Sequence, residues 1–274
     1  MSEAQNELRV LEELRRTDRD RFLCAVAAPA KLHADFATLY AFNAELAGIA
    51  DKVSEHMLGL IRLQWWRDAL DEIAAGRGHR HHLVQDLAAL IARHGLDIAL
   101  LRSLIDARER DVEATTPADL AELEGHASAS AGALAELALC VALPTPSERQ
   151  RFAARAAGTA YGLVGIARAT VYLARHGRVM LPGVDRDALL ALRPGADVAL
   201  VIEQVCARAE GLIAAARKEK LPRTGVPALF PGRLAVAQLE RLRADRYDPI
   251  AAGGRAPSGL DIWRLVLARL WGRI

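Results

Sequence analysis

Residues 34–53 read ADFATLYAFNAELAGIADKV. Phe36, Leu39, Phe42, Leu46, Ile49 and Val53 recur at helical steps and define one apolar stripe, which predicts a helix over 34–53. Leu63, Trp66, Leu70 and Ile73 make a second stripe over about 58–75. Working outward, Leu alternates with Glu and Arg over 3–16, and Asp18 and Asp20 break the run before a short apolar segment at 22–26. Further helices are predicted over 83–94, from about 117, from about 146 to 175, and from 259 to 274. Thr145-Pro146-Ser147-Glu148 reads as a capping box with Thr145 as N-cap, and Thr116-Pro117-Ala118-Asp119 as a weaker one. Proline-bearing stretches at 177–187 and 219–233 read as loops.

Composition agrees with an all-helical chain. Of 274 residues, 54 are Ala and 32 are Arg, against 4 Lys. Ala, Leu and Arg favour helix, while the β-branched and aromatic residues that favour strands are sparse. Charged residues at 26% and hydrophobic residues at 52% exclude a disordered chain. A net charge of +2 gives no electrostatic case for nucleic acid. No Ser-, Gly- or Pro-rich linker divides the chain, so residues 1–274 are read as one domain. Three scattered cysteines without a CxxC, a polar N-terminus and no long apolar run predict a cytoplasmic protein.

Several features carry candidate chemistry. Gly158, Gly162, Gly165 and Ala169 share one helix face, and Gly inside a helix costs about 1 kcal/mol relative to Ala. Such a face either meets a neighbouring helix closely or borders a cavity. Tyr40, Asn43, Ala47 and Asp51 share a face of the 34–53 helix. Positions 47 and 51 stand one turn apart, the spacing at which two carboxylates grip a metal, yet only Asp51 is acidic. His79, His81 and His82 lie in a Gly-bounded polar segment and read as a solvated loop. Trp65 and Trp66 read as core filling, and Arg67 and Asp71 as a surface pair. The segment 259–274 interleaves Trp263 and Trp271 with Arg264, Arg269 and Arg273. That pattern predicts either docking onto the bundle or peripheral contact with a membrane interface.

Taken in order, four segments resemble the squalene/phytoene synthase family. Leu39-Tyr40-Ala41-Phe42-Asn43 is similar to the entry to its first aspartate-rich motif, and Ile61 to Leu70, IRLQWWRDAL, to its Trp-Arg helix. Residues 104–111, LIDARERD, with 120–132, are similar to its central Asp and Tyr-x-x-x-Val-Ala-Gly elements. Residues 158–182 are similar to its second aspartate-rich motif and the Gly-Arg-x-Tyr-Leu-Pro run that follows. The resemblance implies an all-α, isoprenoid synthase-like helical bundle around a central cavity. Active members join two prenyl diphosphates head to head, with Mg²⁺ held between two aspartate-rich helices. By this resemblance Tyr40, Asn43, Tyr161, Arg168 and Arg178 bind substrate, and Ala47, Gly158, Gly162, Gly165 and Ala169 line the cavity.

The sequence departs from the family where Mg²⁺ is held. Ala47, Ala169 and Leu173 stand where the motifs carry aspartate, Gly162 and Gly165 replace Gln and Asn, His126 and Met180 replace Tyr, and Asp51 alone of the motif aspartates is kept. Hard divalent ions need oxygen ligands, so their loss removes the grip. The pattern is closest to a diverged branch that includes a mitochondrial complex I assembly factor. The lead expectation is therefore a family member without cofactor or Mg²⁺-dependent catalysis. It would act as a binding or assembly factor, with a protein partner or a prenyl or lipid ligand, and with peripheral contact at an inner membrane through 259–274. One rival is an active prenyltransferase with a non-standard Mg²⁺ site drawn from Glu45, Asp51, Asp68 and Asp111, in which Asp51 binds metal and Asp51, Asp111 and His126 are catalytic. Another is a lipid or prenyl-chain carrier.

Overall fold

The computed structural model describes residues 3–53, 55–252 and 259–271. Asp18 separates α1 (Glu3–Thr17) from α2 (Arg19–Ala27), its carboxylate accepting the Arg21 backbone N–H at 3.0 Å as an N-cap. Asp20 does not break the chain as expected. It lies in the first turn of α2 and is buried, a position that the helix dipole favours for a carboxylate.

The 34–53 stripe builds α3 (His33–Ala47), with Phe36, Leu39, Phe42, Leu46 and Ile49 all buried. The helix does not continue to Val53. It stops at Gly48, whose N–H closes on Ala44, and one further turn, α4 (Ile49–Lys52), follows. Glycine is the weakest non-proline residue for propagating a helix, so the end falls there. Next come α5 (His56–Ala74), α6 (His82–His94), α7 (Ile98–Asp106) and α8 (Glu109–Glu113). α9 (Leu120–Ala127) runs through a wider π-type stretch, Ser128–Gly132, into α10 (Ala133–Ala142). The 28-residue α11 (Glu148–Arg175) is unbroken. α12 (Arg186–Leu190), α13 (Ala196–Arg217), α14 (Phe230–Ala244), α15 (Pro249–Ala252) and α16 (Gly259–Trp271) complete the chain.

Two starts shift by two or three residues. Ser147 caps α11 in a box with Gln150, which replaces the expected Thr145–Glu148 pair, and Asp119 caps α9. The loop expected over 219–233 ends early, because Pro231 sits in the first turn of α14 where its missing N–H costs nothing.

α11 is the axis of the bundle and touches α9, α10, α13 and α14. One connected apolar core runs from Val10 on α1 to Ala268 on α16. α16 docks through Leu265 and Ala268 and leaves Trp263 and Trp271 at 65% and 71% exposure. Arg273 and Ile274 lie outside the described residues. The stretch Leu120–Ala142 is long and apolar enough to cross a membrane, contrary to the reading that no run qualifies, and 61% of its most apolar part is buried in the bundle. On the surface, Arg67 pairs with Asp106 and Glu109 while Asp71 pairs with Arg102, so the expected Arg67–Asp71 pair does not form. The three helices involved converge there, and a partner fixed across them replaces the flexible one along the helix. His79 is half-buried while His81 and His82 are exposed, and the rings of His79 and His81 lie edge-on to Trp65 at 5.4 Å. Trp66 is buried, but Trp65 is 39% exposed.

Candidate functional site

A cavity of about 310 Å³ opens between α3–α4, the π-type stretch and α11. The face predicted on α3 supplies Asn43 and Ala47, and α4 supplies Asp51. Across from them α11 supplies Tyr161, Gly162, Gly165, Ile166, Ala169, Tyr172 and Leu173. Asp111, His126, Ser130 and Ala131 close one side, Asp18 and Arg21 another, and Arg178 and Met180 arrive from the turn after α11. The wider, underwound π-type stretch brings Ser130 and Ala131 to the cavity wall, and such stretches often carry functional side chains.

The carboxylates in this wall are all spoken for. Asp18 accepts from Arg21 Nη1 at 2.9 Å, and Asp111 accepts from Arg108 Nη1 at 2.9 Å. Asp51 accepts from Arg178 on one oxygen and from the Tyr172 hydroxyl on the other at 2.9 Å. Asn43, 2% exposed, accepts from Arg108 Nη2 at 3.1 Å. The His126 imidazole lies 3.5 Å from Asp111. Burial holds its pKa below the usual histidine value, partly offset by Asp111 and reinforced by Arg108 and Arg110, so the ring is uncharged at neutral pH.

Three predicted site residues sit elsewhere. Tyr40 is not at the cavity: it packs on Phe36 with ring centroids 5.6 Å apart and is 1% exposed, because it falls on the buried side of α3. Arg168 turns away from the cavity toward Asp20, 3.8 Å distant. Gly158 does not line the cavity but marks a helix crossing, since a Cβ there would lie 2.3 Å from the Ala131 carbonyl oxygen. Gly162 does both, bordering the cavity while a Cβ would stand 3.0 Å from Ala131 Cβ.

Beside the cavity is a buried polar cluster the sequence did not announce. Asp20 accepts from Tyr161 at 3.1 Å and from Gln238 at 2.9 Å, with Arg21 over the Tyr161 ring at 5.1 Å. Burial raises the Asp20 carboxyl above its usual range, opposed by Arg168. Arg21, Arg108 and Tyr172 also went unread. Asp18 three residues before Arg21 was the available signal for the first and Asp111 three residues after Arg108 for the second, while no local signal exists for Tyr172.

The donor set does not fit Mg²⁺. Mg²⁺ keeps much of its water and is anchored through one or two carboxylates, yet both Asp51 oxygens are engaged and the facing stretch of α11 offers Gly162, Gly165, Ala169 and Leu173. Glu45 pairs with Lys52 and Asp68 accepts from Gln64, and neither lines the cavity with Asp51 and Asp111. Among the described residues no three His, Cys, Asp or Glu side chains stand close enough to share a metal.

Comparison with known proteins places this arrangement. The squalene/phytoene synthase family description matches residues 14–271. "NADH dehydrogenase (ubiquinone) complex I, assembly factor 6" of Bos taurus is 31% identical over 247 residues, 87% of this chain and 74% of the relative. The Homo sapiens protein of the same name is 30% identical over 237 residues, 84% of this chain and 70% of the relative. The bundle also matches a dehydrosqualene synthase structure solved with a ligand, with TM-score 0.81, 14% identity and coverage of 98% and 96% of the two chains. A squalene synthase, HpnC from Alicyclobacillus acidocaldarius, matches with TM-score 0.76, 20% identity and coverage of 89% and 95%. At those identities the structures speak for the fold, which is all-α and isoprenoid synthase-like. With the motif remnants now on two helices that face one cavity, the chain belongs to the squalene/phytoene synthase family.

Proposed function

We propose that this protein is a binding or assembly factor built on a prenyl synthase bundle, that it works without Mg²⁺, and that it serves the complex named for its relatives, NADH dehydrogenase (ubiquinone) complex I. The observation that carries the reading is Asp51, the one retained motif aspartate, held by Arg178 and Tyr172 as an ion pair and hydrogen bond. Losing even about 5 kcal/mol of metal-supplied transition-state stabilisation slows a reaction roughly 10³–10⁴-fold. Cavity size supports the same reading. About 310 Å³ lies at the lower end for one small-molecule site, whereas head-to-head coupling needs room for two chains. The place of action in this reading is the membrane that holds the complex, reached through the exposed Trp263, Leu270 and Trp271 of α16.

The test is genetic. Deleting the gene should lower the amount of assembled complex I on native gels. Both the wild-type gene and Asp51→Asn should restore it, since no Mg²⁺-dependent role is left for that carboxylate. Unchanged complex I in the deletion strain, or failure of a folded Asp51→Asn protein to restore it, contradicts the proposal.

A further inference from the structure

The cavity differs from a diphosphate pocket by more than its missing aspartates, because its ionised side chains cancel. Asp18 faces Arg21, Asp111 faces Arg108 and Asp51 faces Arg178. Among the lining residues three carboxylates thus meet as many guanidiniums, and none of the latter is left to neutralise a further anion. A diphosphate would enter beside those carboxylates in a site where water screens poorly, so like-charge repulsion is strong. It would also compete with those carboxylates for the same three guanidiniums, whose Nε atoms are the buried donors without a partner in this wall.

The rest of the wall is suited to hydrocarbon. Ala47, Ala169 and Leu173 replace the polar motif positions, with Ile166 and Met180 beside them. Polar side chains interrupt this surface, Asn43, His126, Ser130, Tyr161 and Tyr172 among them. Asn43 is 2% exposed and accepts from Arg108 through Oδ1, and among the described residues its amide nitrogen meets no acceptor. A ligand oxygen placed there would accept from that amide and complete its hydrogen bonding.

Resting on the reading that the site works without Mg²⁺, we propose that this cavity binds an uncharged, hydrocarbon-rich ligand carrying a hydroxyl or carbonyl oxygen, a long-chain alcohol in the simplest case, and discriminates against its diphosphate. The oxygen accepts from Asn43 and the chain lies along the Gly165–Ala169–Leu173 face of α11.

Farnesol and farnesyl diphosphate share one chain and differ only in the head group, which makes them matched probes. Titrating each into the full-length protein by calorimetry, with and without Mg²⁺, should give farnesol the tighter binding in both conditions. Asp51→Asn removes one negative charge from the wall and should improve the diphosphate several-fold without helping the alcohol. A Cβ at Gly165 would meet nothing within 4 Å, so Gly165→Phe should fill the cavity and abolish farnesol binding, with Ala169→Leu as the second filling variant if the first unfolds. Farnesyl diphosphate binding as tightly as farnesol without Mg²⁺ overturns this inference while sparing the metal-free reading. Diphosphate binding that requires Mg²⁺ overturns the metal-free reading itself. Binding of neither probe, or farnesol binding that survives both filled variants, overturns the inference alone.

Discussion

Asp51 shows how one retained residue changes its work when its neighbours change. In the family pattern an aspartate at that position shares a metal, but with Ala47 one turn earlier and Ala169 and Leu173 opposite, its carboxylate is taken by Arg178 and Tyr172. Removing it strands a guanidinium whose side chain is only 8% exposed. Asp51→Ala should therefore cost about 2 kcal/mol, below the usual figure for a fully buried pair because Asp51 itself is partly solvated. Urea denaturation measures this, and Asp51→Leu combined with Arg178→Met should recover most of the loss; a cost under about 0.5 kcal/mol would mean that the pair is loose. His126 gives a pH prediction. Its folded pKa lies below the ordinary value of 6.5, so the unfolded chain binds the proton first. Its contribution to stability is complete above pH 6.5 and is lost on acidification through the lowered folded value. His126→Gln should flatten the decline of the urea midpoint between about pH 7 and 5, and an unaltered decline would assign it to other groups. At this scale the sequence shows which positions are acidic, small or aromatic. It does not show that Arg108 reaches Asn43 or that Tyr172 reaches Asp51, because those pairs span 65 and 121 residues of chain.

Among the helices, α11 separates two uses of glycine that the sequence leaves merged. Gly158 is pressed against Ala131 and Ala135, with Cβ approaches of 2.3 and 2.6 Å, while Gly165 looks into open space. Gly158→Ala should destabilise by about 2–3 kcal/mol despite better helix propensity, since the obstacle is backbone. Gly165→Ala should instead stabilise by about 0.5–1 kcal/mol. Equal shifts of the denaturation midpoint for the two variants would refute this division. The spacing made the small face legible, but only the crossing partner decides which of its members pack and which border the cavity. α16 is similarly two-sided. Leu265 and Ala268 are buried, so deleting 259–274 should destabilise the fold, which makes truncation a poor test of membrane contact. Replacing Trp263 and Trp271 by Ser touches only exposed positions. It should leave stability within about 0.5 kcal/mol and abolish sedimentation with anionic liposomes. Undiminished sedimentation would assign membrane contact to another surface. Helix presence was readable from period and composition for α3, α5, α6, α11 and α16, whereas α7, α8, α13 and α14 went unread. Helix ends were not legible: the α11 cap falls on Ser147 and α3 stops at Gly48 because neighbouring candidates compete within one turn.

For the whole molecule, the order of motif-like segments pointed to the bundle before any contact was known. The bundle brings 47 and 51 to face 162, 165 and 169 across one cavity. What the order of segments could not reveal is the electrostatic state of that cavity, which depends on arginines from α2, the segment after α7 and the turn after α11. In this chain the ionised side chains of the cavity close on one another in pairs. The central claim, that Mg²⁺ has no place in this site, is tested most directly by melting the full-length protein with farnesyl diphosphate and millimolar Mg²⁺, separately and together. A ligand that binds only the folded state must raise the melting temperature by mass action. The account predicts that adding Mg²⁺ to the diphosphate gives no rise beyond that of either alone; a rise that requires both would contradict it.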